Sequence, residues 1–256
     1  MTESISFDRA AEYYDQTRRL PDRLMAELVP RLVAALPRQG TCLEIGIGTG
    51  RIAVPLMQRG VDVVGVDISM EMLRRLRAKQ AAASIALADA TRLPFRDRTF
   101  TSTVAAHVLH LVPAWKSAVD ELMRVTVPGG VLLAARGASS KAEWNLAVRR
   151  HFFVEAGDPP WPPGMDRIES LDEEMRSRGA SVEVLEDVRN EVQTSIGELI
   201  GLLEKGIWSA CWSIDEETRR RAAAATRAWA EQEFGDLDVK RADEVAADWR
   251  AYRLPE

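Results

Sequence analysis

The sequence predicts an α/β fold: a mostly parallel seven-stranded sheet with helices on both faces and a helical cap. Three observations carry this. From residue 41 to 136, short apolar runs alternate with amphipathic stretches of helical period. Gly46, Gly48 and Gly50 stand where the first of those strands passes into the first of those helices. Acids, Glu44, Asp67 and Asp89, close three consecutive strands.

Residues 1–37 read as helical. Ala10 to Arg19 comes first, then a break at Pro21. Arg23 to Leu36 follows, with Leu24, Leu28, Leu32 and Leu36 on one face, and Pro37 and Gly40 end it. Thr41 to Ile45 is a strand and Ile52 to Arg59 a helix. Val61 to Val66 is a strand, and Ser69 to Gln80 a helix that Ser69 can cap. Strands follow at Ser84 to Ala88 and Thr101 to Ala106, then a helix from Trp115 to Val125. Pro128-Gly129-Gly130 is a turn before the strand Val131 to Ala135. Strand–helix–strand at this spacing means right-handed crossovers and a parallel sheet.

Beyond residue 137 the pattern loosens. Lys141 to Ala156 reads as a helix, Asp158 to Gly164 as a stiff proline-rich loop, and Ser170 to Arg178 as a helix stopped by Gly179. Val182 to Asp187 and Val245 to Leu254 are the last two strands. Thr194 to Trp212 and Glu216 to Phe234 are helical. Two such long helical segments exceed what a compact sheet needs, so they are assigned to a cap over its ligand edge. The expectation is one domain over 1–256. Its core is about 38–136 plus 170–190 and 240–256, and its cap is 1–20, 141–168 and 194–235.

Composition narrows the function classes. The 256 residues are 46% hydrophobic, and no apolar run approaches the roughly 18 residues of a membrane span. Met1 to Asp15 has no apolar core of a signal peptide. Cys42 and Cys211 are the only cysteines, too few for a disulfide framework, so a cytoplasmic location is expected. The net charge of −5 argues against a nucleic-acid backbone as partner.

The turn Glu44-Ile45-Gly46-Ile47-Gly48-Thr49-Gly50-Arg51 has the spacing G-x-G-x-G, not the G-x-G-x-x-G of dinucleotide sites. Glycines there let a ligand approach the backbone closely, unless they merely join strand to helix. Glu44 would repel a pyrophosphate and suits a cationic ligand. Asp67 lies 21 residues after Gly46, where an acid accepts both hydroxyls of a ribose; it could equally cap the next helix. Asp89, in Leu87-Ala88-Asp89-Ala90, can accept from an adenine amino group, though Asp is also common in turns.

These residues resemble a known family. Glu44 to Gly50 is similar to the first motif of class I S-adenosylmethionine-dependent methyltransferases, whose fold is Rossmann-like. Phe7-Asp8-Arg9-Ala10-Ala11 with Tyr14-Asp15 and Arg18 resembles the N-terminal helix of their small-molecule branch, which holds ubiquinone and menaquinone methyltransferases. Leu93-Pro94-Phe95, Val108-Leu109-His110, Arg124-Val125 and Pro128-Gly129-Gly130 are also similar. The resemblance covers residues 7 to 136. Thr101 and Val127 depart from it, at positions where the family usually has an acid and a lysine.

The resemblance implies roles. Gly46 and Gly48 would lie beside the methionine part of S-adenosylmethionine, and the product would be S-adenosylhomocysteine. Asp67 would hold the ribose, and Asp89 with the backbone of Ala90 the adenine, between Ile68 and Met72. Tyr14 and Arg18 would close over the methionine end, with Arg18 or Arg51 facing its carboxylate.

Methyl transfer needs alignment and exclusion of water, and a base only where the acceptor holds a proton. His107, placed by such a fold beside the methyl, could be that base or could simply pack in the pocket wall. His107-x-x-His110 has no further ligand near it, so no metal is expected. Trp208 and Trp212, with Trp144 and Trp161, could hold a flat or apolar acceptor, or pack the cap. The expected partner is a small-molecule methyl acceptor. The alternatives are a nucleic-acid methyltransferase, an S-adenosylmethionine-binding protein without catalysis, and a nicotinamide dehydrogenase. The first lacks the aromatic-proline tetrapeptide after the fourth strand, and the last lacks its glycine pattern.

Overall fold

The computed structural model describes residues 4–18, 20–186 and 188–256. Residues 1–3 of the expected cap, and Arg19 and Asp187 at the ends of an expected helix and strand, lie outside these. The elements in chain order begin with α1 (Tyr14–Arg18), α2 (Asp22–Ala35), β1 (Thr41–Ile45), α3 (Ala53–Met57), β2 (Asp62–Asp67), α4 (Met70–Lys79) and β3 (Ser84–Leu87). Then come β4 (Phe100–Ala106), α5 (Trp115–Val125), β5 (Thr126–Ser140), α6 (Glu143–Glu155) and α7 (Ile168–Ser177). The last are β6 (Ser181–Val184), β7 (Val188–Thr194), α8 (Ile196–Glu204), α9 (Glu216–Phe234) and β8 (Arg241–Arg253).

The strand order is β3-β2-β1-β4-β5-β8-β6. The pairs from β3 through β5 are parallel, and β6 runs antiparallel to β8. Leu254 donates to the carbonyl of Gly130 and Lys141 to that of Glu244, so β8 opposes β5. All seven expected strands are present; β7 is additional and pairs β8 off this path. Its residues alternate, but mostly between polar types, so apolar periodicity did not mark it. The turn at Pro128–Gly130 is a bulge inside β5. Phe100 faces Thr126, and two residues on Ser102 faces Val131, leaving three extra residues on β5.

The chain forms two compact units. One comprises Met1–Gly137, Pro163–Val188 and Ala247–Glu256, the other Ala138–Pro162 and Arg189–Ala246. Of the expected cap, 1–20 and 163–168 fall in the first unit, and 141–162 and 194–235 in the second.

In the first unit, alternate strand residues feed two cores. Cys42, Val104, Ala106, Leu133 and Trp249 pack with Leu24, Leu28 and Leu32 of α2, Leu56 of α3 and Leu76 of α4. Leu43, Ala105, Leu132, Ala134 and Tyr252 pack with Val119 and Leu122 of α5 and Leu171 and Met175 of α7. Helices thus cover both faces, and each fully buried Leu contributes roughly 1.5–3 kcal/mol. Register pairs Ile45 with Val66 and with Ala105, and Asp67 with Leu87, so four strands end at one edge.

The N-terminal segment differs from the expected helix Ala10 to Arg19. A single 3-10 turn, Asp8–Ala10, precedes α1. Ser6 donates to Asp8 Oδ2 at 2.8 Å, and the backbone N–H of Asp8 bonds the Ser6 hydroxyl at 3.3 Å. These bonds fix the start of the 3-10 turn, and residues 11–13 form a turn before α1.

In the second unit α6, α8 and α9 pack through Val148, Phe152, Leu199, Ile200, Leu203 and Ala223. α8 starts with a capping box, Ser195 and Glu198. The expected helix to Trp212 stops at Glu204, because Gly206 takes φ +65° just beyond it. A 3-10 turn, Ser209–Cys211, follows.

Candidate functional site

The four strand ends carry the glycine turn, Asp67, Ala88–Ala90 and Ala106–Val108. They border a cleft of about 650 Å³, measured with its open mouth. Of the expected site residues, Tyr14, Gly46, Gly48, Asp67, Ile68, Met72, Asp89, Ala90 and His107 line it. Arg18, Glu44, Gly50 and Arg51 do not, and Trp208 and Trp212 belong to the second unit.

Gly46 and Gly48 have φ +62° and +56°, where only glycine is free of strain. A Cβ on Gly46 would come within 2.6 Å of Val108 Cγ2. On Gly48 it would meet nothing closer than the Gly46 carbonyl at 3.9 Å. The backbone of Gly48 therefore offers a ligand an unobstructed approach.

Asp67 holds this turn. Its Oδ2 accepts from the Gly48 N–H at 2.8 Å and its Oδ1 from the Ser69 N–H at 2.8 Å. Burial raises its pKa, while those two N–H groups oppose the rise. Ser69, not Asp67, caps α4: its hydroxyl accepts from Met72 N–H at 3.2 Å. Asp89 Oδ1 accepts from the N–H and hydroxyl of Thr91, at 2.8 and 2.9 Å, and its Oδ2 has no hydrogen bond among the described residues.

Glu44 Oε2 and His107 Nε2 are buried polar atoms without a hydrogen-bond partner among the described residues. Burial pushes the Glu44 carboxyl up to about 8, with Arg51 pulling down and Asp67 pushing further up. The His107 pKa lies well below the usual imidazole value, because of burial first and then the charges of Arg51 and His110. Its ring is therefore neutral near pH 7. His107 also has φ +58°, and its N–H donates to the Ala135 carbonyl at 2.8 Å. A strained residue held in place at a cleft wall is characteristic of functional sites.

The Arg51 guanidinium lies 6.0 Å from the Tyr14 ring centroid, and its Nη1 donates to the Arg18 carbonyl at 2.9 Å. The segment before α2 forms one wall, through Ser4, Ile5, Phe7 and Tyr14. It is held by Ile5 N–H to the Leu111 carbonyl at 3.1 Å, Thr49 hydroxyl to Asp15 Oδ1 at 2.6 Å, and Ser69 hydroxyl to Asp8. Lys79 pairs with Asp15.

The sequence reading did not single out Ser4, Ile5, Phe7, Ala88, Ala106, Val108, Leu111 or Val112 as site residues. Phe7 and Val108 stand inside motifs that carried the family resemblance; the others carry no signal beyond being apolar or small. Among the described residues no cluster of three His, Cys, Asp or Glu could hold a metal ion. Nor, among them, is any helix long and apolar enough to cross a membrane.

Comparison with known proteins agrees with the resemblance. Residues 43–134 match the family described as Methyltransferase domain. The demethylmenaquinone methyltransferase of Renibacterium salmoninarum is 35% identical over 133 residues, 50% of this chain and 56% of that protein. That of Streptomyces avermitilis is 37% identical over 128 residues, 48% of this chain and 55% of that protein. The chain thus spans little more than half the length of these relatives. By structure, it is similar to a phosphoethanolamine N-methyltransferase of Haemonchus contortus solved with S-adenosylhomocysteine. The TM-score there is 0.56 at 15% identity, over 97% of this chain and 58% of that one. The fold is that of solved S-adenosylmethionine-dependent methyltransferases, and over about half of the chain the sequence is similar to demethylmenaquinone methyltransferases.

Proposed function

We propose that the chain is an enzyme that transfers the methyl group of S-adenosylmethionine to a small, apolar or aromatic acceptor. The observation that carries this is the convergence of Gly46, Gly48, Asp67, Asp89 and His107 on one cleft at the ends of parallel strands. The residues fit the cofactor. Gly48 leaves room for a close approach, and the Glu44 carboxyl, outside the cleft lining and pushed up to about 8 by burial, can accept from an ammonium once it gives up its proton. Asp67 and Asp89 are acceptors for ribose hydroxyls and an adenine amino group, with Ile68 and Met72 beside the ring. When bound, S-adenosylmethionine supplies a methyl group already activated on a sulfonium.

The work left to the chain is to position the acceptor and exclude water. Phe7, Tyr14, Leu111 and Val112 supply apolar walls for the second task. His107 Nε2, neutral and unpaired, accepts a hydrogen bond from an O–H or N–H of the acceptor, and takes the proton as the new bond to carbon forms. The relatives named demethylmenaquinone methyltransferases support a small aromatic acceptor.

Calorimetric titration tests the reading. S-Adenosylhomocysteine should bind and raise the melting temperature by linkage, and NAD should do neither. Absence of heat with S-adenosylhomocysteine, or binding of NAD in its place, overturns it.

A further inference from the structure

His107 follows the last residue of β4, where its backbone N–H donates to the Ala135 carbonyl of β5 at 2.8 Å and its φ is +58°. Outside glycine, that conformation persists only where the surroundings hold it. Two residues of the first unit meet the imidazole itself. Trp249 of β8 stands edge to face with it, ring centroids 6.4 Å apart and planes at 83°. Gly137 of β5 lies beside Nδ1, which would be 3.4 Å from a Cβ at that position.

Neither neighbour is in the cleft lining. Trp249 is 1% exposed and packs with Ala106, Leu133 and Ala135, so its ring has little freedom to move. Gly137 lacks the positive φ that explains glycine at Gly46 and Gly48. A side chain there would instead take the space beside Nδ1.

The two ring nitrogens differ. Nε2 has no hydrogen-bond partner among the described residues. The ring also bonds the backbone of Arg136, in the sense that favours the protonated imidazole, so a ring N–H donates to that carbonyl. With Nε2 unpartnered, Nδ1 is the donor, and Nδ1 is the nitrogen on the side of Gly137. A neutral imidazole carries one ring proton, so a hydrogen bond donated by Nδ1 leaves the lone pair on Nε2. A half-turn of the ring would carry Nδ1 away from the carbonyl and Nε2 away from an acceptor.

We propose that Gly137 and Trp249 are positioning residues that hold His107 in one ring orientation, with the proton on Nδ1 and the lone pair on Nε2. This rests on the reading of His107 as the proton acceptor. Gly137 leaves Nδ1 room to reach the Arg136 carbonyl, and the perpendicular indole of Trp249 blocks the half-turn.

Nitrogen-15 labelling of the full chain, with two-bond proton–nitrogen correlation of the histidine rings near neutral pH, tests this. His107→Gln identifies the His107 signals among the three histidines. The parent should show one tautomer, with Nδ1 protonated and Nε2 bare. Gly137→Ala and Trp249→Leu should lose that single pattern and show a protonated Nε2 or an average of both forms, while circular dichroism stays unchanged. Trp249→Phe, which keeps an aromatic ring, should retain the pattern, and it serves with Gly137→Ala where the Leu variant fails to fold. A protonated Nε2 or a mixture in the parent, the parent pattern in a folded Gly137→Ala or Trp249→Leu protein, or its loss in Trp249→Phe overturns the proposal. The measurement uses neither cofactor nor acceptor. It can therefore fail while S-adenosylhomocysteine still binds, and the methyltransferase reading can fail while His107 keeps its tautomer.

Discussion

Asp67 Oδ2 accepts the backbone N–H of Gly48 at 2.8 Å, so the carboxylate expected to meet a ribose also ties the end of β2 to the glycine turn. Asp67→Ala should therefore cost twice. Affinity for S-adenosylhomocysteine should fall by about 1.5–3 kcal/mol, the range for hydrogen bonds to a charged group. The melting temperature without ligand should fall as well, because two partly buried N–H groups lose their acceptor. Calorimetry and thermal melts of the same variant separate the two; an unchanged affinity would leave Asp67 a purely structural tie.

Gly46 and Gly48 make a matched pair. Both have positive φ, so an alanine at either adds about 1–2 kcal/mol of backbone strain. At Gly46 the methyl also meets Val108, whereas at Gly48 it makes only an ordinary contact, with the Gly46 carbonyl at 3.9 Å. Gly46→Ala is expected to lose more stability, and Gly48→Ala to lose ligand affinity out of proportion to its stability. Urea melts with parallel titrations check this, and equal stability losses would count against it.

Glu44 gives a pH signature. Its folded pKa, about 8, is above the ordinary value of 4.5, so between those values the native state holds a proton that the unfolded state has lost. Its contribution is full below about pH 4.5 and is lost as pH rises through about 8, by at most about 5 kcal/mol at 1.36 kcal/mol per unit. In Glu44→Gln the stability curve should flatten over that window. An ammonium bound beside Glu44 would ionise it, so binding of S-adenosylhomocysteine near pH 7 should release a proton. Calorimetry in buffers of different ionisation enthalpy reads that release; none in the parent protein, or the same release in the Gln variant, contradicts the assignment.

The division between what was legible and what was not follows from local chemistry. The strands β1 to β5 were legible because each is an apolar run between turn residues, and the cleft's polar groups because they follow those strands. The extra strand Val188–Thr194 was hidden by its polar alternation. The end of α8 was available in Gly206 but was overridden by the apolar run that continues to Trp212. The resemblance offers Arg18 or Arg51 for a ligand carboxylate; that Arg51 bonds the Arg18 carbonyl and lies near the Tyr14 ring, 37 residues away, is a contact that no periodicity reveals. The hold of Asp8 on Ser69 and of Asp15 on Thr49 is likewise long-range and leaves no pattern in the chain.

Those two aspartates bear on how a ligand enters. Residues 4–18 supply Ser4, Ile5, Phe7 and Tyr14 to the cleft wall, so movement of the segment would change how readily a ligand enters and leaves. Asp8 sits below its usual pKa, chiefly through the Ser69 hydroxyl and then Ser6. For Asp15, burial pushes up, and the bonds from Lys79 and Thr49 outweigh it, leaving the pKa lowered. Lowered carboxylates stabilise the closed segment above their unfolded pKa of 3.8, and that stabilisation is lost as pH falls through the folded values. The Lys79–Asp15 pair is 43% and 45% exposed, so it contributes no more than about 1 kcal/mol. Asp15→Asn is thus expected to leave the global melting temperature almost unchanged while S-adenosylhomocysteine dissociates about two- to fivefold faster, within that limit. Asp8→Asn should act in the same direction, since the Ser69 hydroxyl then bonds a neutral amide. Stopped-flow displacement gives the rate. Hydrogen exchange gives the location: protection in residues 7–18 should rise with ligand in the parent and rise less in both variants. Unaltered dissociation in both variants, or a segment equally unprotected with and without ligand, would show that these carboxylates do not hold the cleft closed.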